Sequence, residues 1–263
     1  MVGDSAEVVN PSDFGILTPT LANLPEVRDL RLRPFFPFYG SKWRIAPRYP
    51  KPIYNVIVEP FAGSACYSLY YPHLQVILLE KDPVIAGVWK YLVGASPDKI
   101  RSLPPISEDQ SVDDLDIEPA ARSLIGFWLN RGGTRPCKTM SAWGRTGTHQ
   151  NSFWGEVVRE RIASQVEEIT HWRVYRRSYE YAPRGPVTWF IDPPYAVSGK
   201  HYKFNFQGED FGDLAAWCKR RIGQIIVCEQ RGADWLPFRP FLTAKANESK
   251  HGGKKSHEVI WTN

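Results

Sequence analysis

The chain has 263 residues, of which 43% are hydrophobic and 23% are charged, and this balance excludes both a disordered chain and a membrane-embedded protein. The formal net charge of +5 favours a polyanionic partner such as nucleic acid without requiring one. The four cysteines lack CxxC or any other metal-binding spacing, which predicts reduced thiols and no metal site. No segment resembles a transmembrane helix or a signal peptide, so we expect a soluble cytoplasmic protein with no membrane partner.

The first part of the chain predicts a strand–helix–strand unit. Residues 1–33 carry scattered prolines and polar residues without periodicity, and we expect them to form a loosely ordered arm. Apolar runs at 55–59 and 75–80 predict buried strands, with a turn and a helix at 66–71 between them. Another helix is predicted to begin near Pro83. Strands joined through a helix lie parallel, so the sheet is predicted to be at least partly parallel.

Residues 95–171 interrupt this alternation and are interpreted as a small inserted region. A proline- and acid-rich loop at 97–119 precedes a predicted helix at 120–129, and a basic Gly/Ser/Thr-rich segment follows. An amphipathic helix is predicted near 154–170, with one apolar face formed by Val157, Val158, Ile162, Val166 and Ile169.

Strand-like runs resume after the insertion, at 173–175, 187–191 and 224–228. Two last runs predict a C-terminal antiparallel hairpin, at 241–244 and 258–262. The sequence therefore predicts an α/β fold with a mostly parallel sheet. Its main domain is predicted to consist of residues 34–94 and 172–263.

The most informative motif, Asp192-Pro193-Pro194-Tyr195, follows directly after the predicted strand at 187–191. Open α/β sheets bind ligands at the carboxyl ends of their strands. The Asp192 carboxylate and the Pro193 carbonyl can accept the two hydrogens of an exocyclic amino group, while the Tyr195 ring stacks on the base. The alternative is that Asp192 caps a Pro-Pro turn and Tyr195 is simply packed.

A second set of residues follows the two earlier strands. Gly63, shortly after Glu59, permits close approach of the backbone to a ligand, and a following helix would favour an anion. Glu80 ends the next strand, where an acid can accept hydrogen bonds from both ribose hydroxyls. Alternatively, Glu80 caps the helix at Pro83 together with Asp82. Lys42 could contact a ligand carboxylate or be a solvated surface charge.

Taken together, these segments resemble the Dam-like, alpha-type DNA adenine-N6 methyltransferases, and the resemblance covers residues 34–263. The matches are an aromatic-Gly-Ser-Lys opening motif, a first-strand glycine motif, a second-strand acid motif with Glu in place of the usual Asp, and the complete catalytic motif: residues 38–42, 58–63, 80–83 and 192–195. The segment 227–238 is also similar to a phage-associated branch of that family.

The resemblance implies a Rossmann-like, S-adenosylmethionine-dependent enzyme. Glu80 would bind the ribose and Phe61 the adenosine region, while Lys42 and Phe38 would line the methionine end. Asp192 would be shared between the cofactor and base pockets. The implied cofactor-binding set is Phe38, Tyr39, Gly40, Lys42, Glu59, Pro60, Phe61, Gly63, Glu80, Lys81, Tyr179 and Asp192.

The chain departs from the family where an Asp-Phe pair usually precedes the catalytic strand. Ser178-Tyr179 occupies that place, so Tyr179 could stack on the cofactor adenine but the carboxylate's hydrogen bond would be lost. The implied catalytic residues are Asp192, Pro193, Pro194 and Tyr195.

The resemblance also implies double-stranded DNA as the partner, in a bacterial or phage-infected cell. The inserted region would recognise the target, and its basic residues resemble phosphate and groove contacts: Arg131, Arg135, Lys138 and Arg145. Their alternative interpretation is a solvated basic loop. The target adenine would have to leave the helix to be reached.

Three other functions stay open. Cytosine-N4 methylation needs the same grip on an amino group, although those enzymes favour Ser at the position of Asp192. A relative that binds DNA without catalysis and an enzyme acting on RNA are the others. The resemblance gives neither a recognition sequence nor an oligomeric state.

Overall fold

The computed structural model describes residues 31–130, 132–142, 144–146, 152–196, 206, 208–245 and 255–263. The strands are β1 (Val56–Glu59), β2 (Gln75–Leu79), β3 (Arg173–Tyr175), β4 (Val187–Ile191), β5 (Gly223–Gln230), β6 (Arg239–Lys245) and β7 (Lys255–Thr262). The α-helices are α1 (Pro83–Val93), α2 (Pro97–Arg101), α3 (Pro119–Leu129), α4 (Glu156–Ala163) and α5 (Gly208–Lys219). None of the helices in these ranges is long and apolar enough to cross a lipid bilayer.

The described strands form one seven-stranded sheet in the order β3-β2-β1-β4-β5-β7-β6. The first five strands are parallel, and β7 runs antiparallel to both β5 and β6. The predicted mixed α/β fold, with its mostly parallel sheet and C-terminal antiparallel pair, is therefore confirmed. The 3-2-1-4-5 order is compatible with a Rossmann-like fold, and the order reverses between β1 and β4, where such sheets bind ligands.

Both faces of the sheet are buried, and alternate strand residues point to opposite sides. Ile57 and Phe190 belong to a core that also contains residues of α1, α3 and α4. Val58 and Trp189 belong to a second core that α5 covers. The inserted region therefore shares the first hydrophobic core with the sheet.

The crossover between β1 and β2 differs from the prediction. Instead of a helix at 66–71, the chain forms a single 3₁₀ turn, Ser68–Tyr70. The physical reason is that the buried Glu59 carboxylate accepts the Ser68 N–H at 2.8 Å, which removes that donor from a helical ladder. The helix N-terminus that was predicted after Gly63 is therefore absent. A ligand at this place would contact loop backbone and side chains and not the end of a helix.

Three helical predictions also need correction. The loop predicted at 97–119 contains α2, whose N-terminus is capped by the Ser96 hydroxyl. The helix predicted near 154–170 divides into α4 and a 3₁₀ turn (Val166–Ile169), and Val157 is 54% exposed rather than on the apolar face. Helix α5 was not predicted, although it has apolar residues at helical spacing: Phe211, Leu214, Ala215 and Cys218.

Candidate functional site

A pocket of about 370 Å³ opens at the carboxyl ends of β1, β2 and β4, next to the reversal in strand order. This volume is in the range of small-molecule sites. Five segments that are far apart in the chain line it together: residues 38–42, 59–66, 80–82 and 178–180, with Asp192 and Pro194. Pro193 and Tyr195 lie outside this lining. No group of three metal-ligating side chains is found in the described segments.

Asp192 ends β4 beside a buried lysine. Lys42, only 7% exposed, places its Nζ atom 3.2 Å from Asp192 Oδ1 and donates a hydrogen bond to the Gly40 carbonyl at 3.0 Å. Beyond this ion pair, the buried Oδ1 atom has no hydrogen bond of good geometry among the described residues. Burial raises the pKa of Asp192, while the Lys42 charge acts in the opposite direction. The site thus holds a buried acceptor oxygen with unused capacity.

Two glutamates from the C-terminal strands hold the loop that follows Asp192, and sequence analysis missed both. The Tyr195 hydroxyl donates to Glu258 Oε2 at 2.6 Å, and the Lys42 ammonium lies 4.5 Å from the Tyr195 ring centroid. Glu229 is completely buried and accepts the Ala196 N–H at 3.0 Å. Their signal in the sequence was a carboxylate at the end of an apolar run: Glu229 directly follows the predicted strand at 224–228, and Glu258 begins the one at 258–262.

Glu229 also connects this loop to an aromatic cluster. Its Oε2 atom accepts the indole N–H of Trp235 at 3.0 Å, and its Oε1 atom accepts the Gln230 N–H at 2.8 Å. Every oxygen therefore has a donor, which is what a buried carboxylate requires. Burial raises the pKa of Glu229.

The segment after β1 is held in an unusual conformation. Gly63 has a φ of 45°, and a Cβ there would lie 3.3 Å from the Phe38 ring, so glycine fits best. Ala65 has a φ of 48°, in the left-handed region that residues with a side chain rarely adopt. Glu59 fixes this segment through the Ser68 N–H and the Ser68 hydroxyl, at 2.8 and 2.6 Å. Burial raises the pKa of Glu59 to about 8.

Glu80, which follows β2, is hydrogen-bonded to that segment. Its Oε2 atom accepts the Gly63 N–H at 3.1 Å, and its Oε1 atom accepts the Asp82 N–H at 2.9 Å. Asp82 itself caps α1 by accepting the Val84 N–H. Burial raises the pKa of Glu80 to about 7. A carboxylate offers about four lone-pair sites, more than the backbone donors around Glu80 use, so it can still accept a hydrogen bond from a ligand.

Three aromatic rings form one wall of the pocket. The Phe61 and Tyr179 ring centroids lie 5.4 Å apart, and Phe206 lies 5.6 Å from Phe61 and 6.0 Å from Tyr179. This wall can hold a planar heterocycle by stacking. Phe206 was missed from the sequence because it lies in a region without a recognisable motif.

The inserted region touches the pocket at one point. The Tyr39 N–H donates to the Gly133 carbonyl at 3.1 Å, and Thr134 lines the pocket. The neighbouring Arg135 is exposed. The insertion therefore forms part of the pocket rim.

The predicted nucleic-acid residues differ in their surroundings. Arg131 lies outside the described residues. Lys138 forms an ion pair with Asp113, and Arg145 lies 3.8 Å from Asp109 and donates to the Met140 carbonyl. Two of the four basic side chains thus already have an acidic neighbour within the insertion.

Comparison with known proteins gives no family for this chain. No protein-family model matches it, and no curated protein sequence matches it. A solved structure described as a conserved hypothetical protein from Streptococcus pyogenes covers 84% of this chain and 93% of its own length, at 12% identity and a TM-score of 0.34. A similarity this low supports no conclusion about fold or function.

Proposed function

We propose that this protein is a Rossmann-like S-adenosylmethionine-dependent methyltransferase that modifies the N6 atom of adenine in DNA. The observation that carries the proposal is the joint lining of one pocket by four distant motifs, at the reversal in strand order. Those motifs, which resemble the Dam-like enzymes, contribute residues 38–42, 59–63 and 80–82, with Asp192 and Pro194, to the lining. If each similarity were a coincidence, the matching segments would not be expected to lie next to one another in the fold.

The chemistry of the pocket fits the proposed cofactor. The aromatic wall offers a stacking surface for an adenine ring, and Glu80 offers lone pairs to ribose hydroxyls. Gly63, without a side chain, leaves room for close approach. When bound, S-adenosylmethionine would supply an electrophilic methyl group on a sulfonium.

The residues of the chain would activate the base by accepting hydrogen bonds. The N6 lone pair of adenine is delocalised into the ring and is a poor nucleophile. Acceptance of the amino hydrogens by Asp192 Oδ1 and the Pro193 carbonyl would localise that lone pair and orient it. The amino group must lose one proton, and the raised pKa of Asp192 suits that carboxylate to accept it.

Tyr195 would supply the stacking surface for the extruded adenine. Its ring is fixed at the hydroxyl by Glu258, and Lys42 covers one face. A base would therefore stack on the opposite face. The fixed ring reduces the entropy lost when the base enters the site.

The test is methyl transfer with identification of the product base. Purified protein is incubated with unmethylated duplex DNA and methyl-labelled S-adenosylmethionine, and the DNA is digested to nucleosides for mass spectrometry. We expect labelled N6-methyldeoxyadenosine from the wild type and none from Asp192→Asn, which keeps the shape but removes the charge.

The other outcomes would identify the alternatives. Labelled N4-methyldeoxycytidine would indicate the cytosine enzyme, and label in a parallel RNA sample alone would indicate an RNA enzyme. DNA binding without any transfer would indicate a catalytically silent relative.

A further inference from the structure

A second concave site lies on the segment that leads to Lys42. Its volume is about 440 Å³, and we call it the arginine pocket after its lining: Arg31, Arg33, Trp43, Arg44, Pro47 and Tyr70. None of these residues belongs to the motifs that line the first pocket. The feature they share is positive charge around an aromatic pair.

No carboxylate of the described residues compensates the charge in the arginine pocket. All three arginines are exposed, and within the described residues no carboxylate lies at ion-pair distance from any of their guanidinium groups. Like charges gathered in one concavity repel each other, so an anion that enters relieves the repulsion. Guanidinium groups bind phosphate oxygens in bidentate fashion.

The backbone under these arginines is fixed. The Arg33 N–H donates to Gln165 Oε1 at 3.1 Å, and the Arg33 carbonyl accepts from Gln165 Nε2 at 2.7 Å. Gln165 is itself buried. The Arg33 side chain takes no part in these two bonds.

The aromatic pair gives the pocket an apolar floor. The Trp43 and Tyr70 rings lie 6.0 Å apart. The Trp43 indole N–H donates to the Leu32 carbonyl at 2.9 Å, and the Tyr70 hydroxyl donates to the Trp43 carbonyl at 2.8 Å. Because both polar atoms bond to the backbone, the rings offer carbon surface and no additional base-reading donor.

We propose that the arginine pocket binds the sugar-phosphate backbone of the DNA strand beside the target base. The three arginines would contact phosphates, and the aromatic floor would pack against deoxyribose. Trp43 directly follows Lys42, so their Cα atoms are about 3.8 Å apart, and Lys42 is paired with Asp192. The inference rests on the proposed function, because it places this DNA strand next to the residues that would bind the extruded base.

Such contacts determine register and affinity but do not read sequence. The pocket should therefore strengthen binding to every DNA sequence equally. Its contribution should also depend steeply on salt, since each neutralised phosphate releases counterions.

The experiment compares two triple variants by fluorescence anisotropy on labelled duplexes over a series of NaCl concentrations. The first variant combines Arg31→Gln, Arg33→Gln and Arg44→Gln. The control removes the same charge with Lys51→Gln, Arg184→Gln and Arg220→Gln. These exposed residues precede β1, β4 and β5. They therefore lie at the amino ends of parallel strands, whereas the first pocket lies at the carboxyl ends.

We expect the slope of log K against log salt to become shallower by roughly 2–3 in the pocket variant, since each phosphate contact contributes about 0.9. The control should keep the wild-type slope, and the loss should be the same on duplexes of unrelated sequence. Arg31→Lys, Arg33→Lys and Arg44→Lys together should restore the slope because the charge returns. Thermal unfolding verifies that all variants are folded.

An unchanged slope in the folded pocket variant overturns the inference. So does loss of binding to phosphatidylglycerol vesicles with unchanged DNA slopes, which would indicate a membrane site. If the wild type transfers no methyl group but the pocket variant still loses slope, the proposed function fails and the DNA site stands. If methyl transfer occurs and the slope does not change, the DNA site fails alone.

Discussion

The carboxylates at the two ends of the pocket have different kinds of partner. At the end of β4, Asp192 faces the Lys42 ammonium at 3.2 Å. At the ends of β1 and β2, Glu59 and Glu80 face only neutral N–H and O–H donors, and no described cation pairs with either. Burial raises the pKa of Glu59 to about 8 and that of Glu80 to about 7.

The difference predicts that Asp192 keeps its charge more readily than it would without Lys42. A nearby cation offsets the cost of burial, whereas neutral donors offset only part of it. We therefore expect Asp192 to act as an ionised acceptor in the reaction. Glu59 and Glu80 should change protonation close to neutral pH. The stability of the fold and the binding of the cofactor should therefore depend on pH in that range.

The largest effect should come from Lys42→Met, which removes the cation but keeps an apolar chain of similar length. The Lys42 charge lowers the pKa of Asp192, so the variant should have a higher Asp192 pKa and a larger protonated fraction at any given pH. We expect turnover to fall roughly 10²- to 10³-fold and to recover in part as pH rises. The measurement is the pH profile of kcat for methyl transfer.

The matched control is Lys219→Met, on an exposed lysine at the end of α5. It should keep the wild-type profile. A Lys42→Met enzyme with lower turnover but an acid limb at the wild-type pH would mean that Lys42 does not set the charge of Asp192.

Glu59→Gln should change how stability depends on pH. The folded-state pKa of about 8 exceeds the ordinary value of 4.5, so the folded protein binds more protons and loses stability as pH rises between these values. The amide can still accept from Ser68 and carries no charge. At the upper end of this range the variant should exceed the wild type by on the order of a few kcal/mol in unfolding free energy. Urea titrations at several pH values provide the measurement, and parallel pH curves for the two proteins would contradict the prediction.

Glu80→Gln should act on cofactor binding. An ionised Glu80 accepts ribose hydrogens better than a protonated one, so wild-type affinity for S-adenosylmethionine should rise as pH increases through about 7. The variant should lose about 1–3 kcal/mol of binding free energy above that pH and show little pH dependence. Calorimetry measures both quantities, with Glu168→Gln as a surface control that binds like the wild type. Unchanged affinity would leave Glu80 the structural task of holding Gly63 and Asp82.

The sheet was predictable from sequence because its strands are short apolar runs that end at turns. Val187–Ile191 is buried at every position, and a run of that kind fixes both the strand and the place of Asp192 after it. The crossover after β1 was not predictable by the same means. Its conformation depends on the bond between Glu59 and Ser68, and local helix preference carries no information about that bond.

The supports of the loop after Asp192 show the same limit. Glu229 and Glu258 reach Ala196 and Tyr195 from strands that are 33 and 63 residues away in the chain. Nothing near Asp192 in the sequence indicates these partners, because the pairing arises from the antiparallel addition of β7 to β5. The motif gave the acceptor, and only the tertiary fold gives the groups that hold it.

The smallest effect should come from Tyr195→Phe. This variant tests whether Glu258, which accepts the Tyr195 hydroxyl, has a structural or a chemical role. The ring that would stack on the base remains, so turnover should fall far less than in Tyr195→Leu. The lost hydroxyl leaves Glu258 Oε2 without its donor, and among the described side chains only the Ser256 hydroxyl still bonds to this carboxylate, through Oε1. An unsatisfied buried oxygen should lower the unfolding free energy by about 1 kcal/mol in urea titrations. Addition of Glu258→Met should recover part of that loss, since removing both partners of a buried bond costs less than removing one.

The prediction is contradicted if Tyr195→Phe loses turnover as fully as Tyr195→Leu while remaining folded. The hydroxyl and Glu258 would then take part in the reaction itself. In that case the two ends of the pocket could no longer be distinguished as one with a charged catalytic carboxylate and one with neutral structural carboxylates.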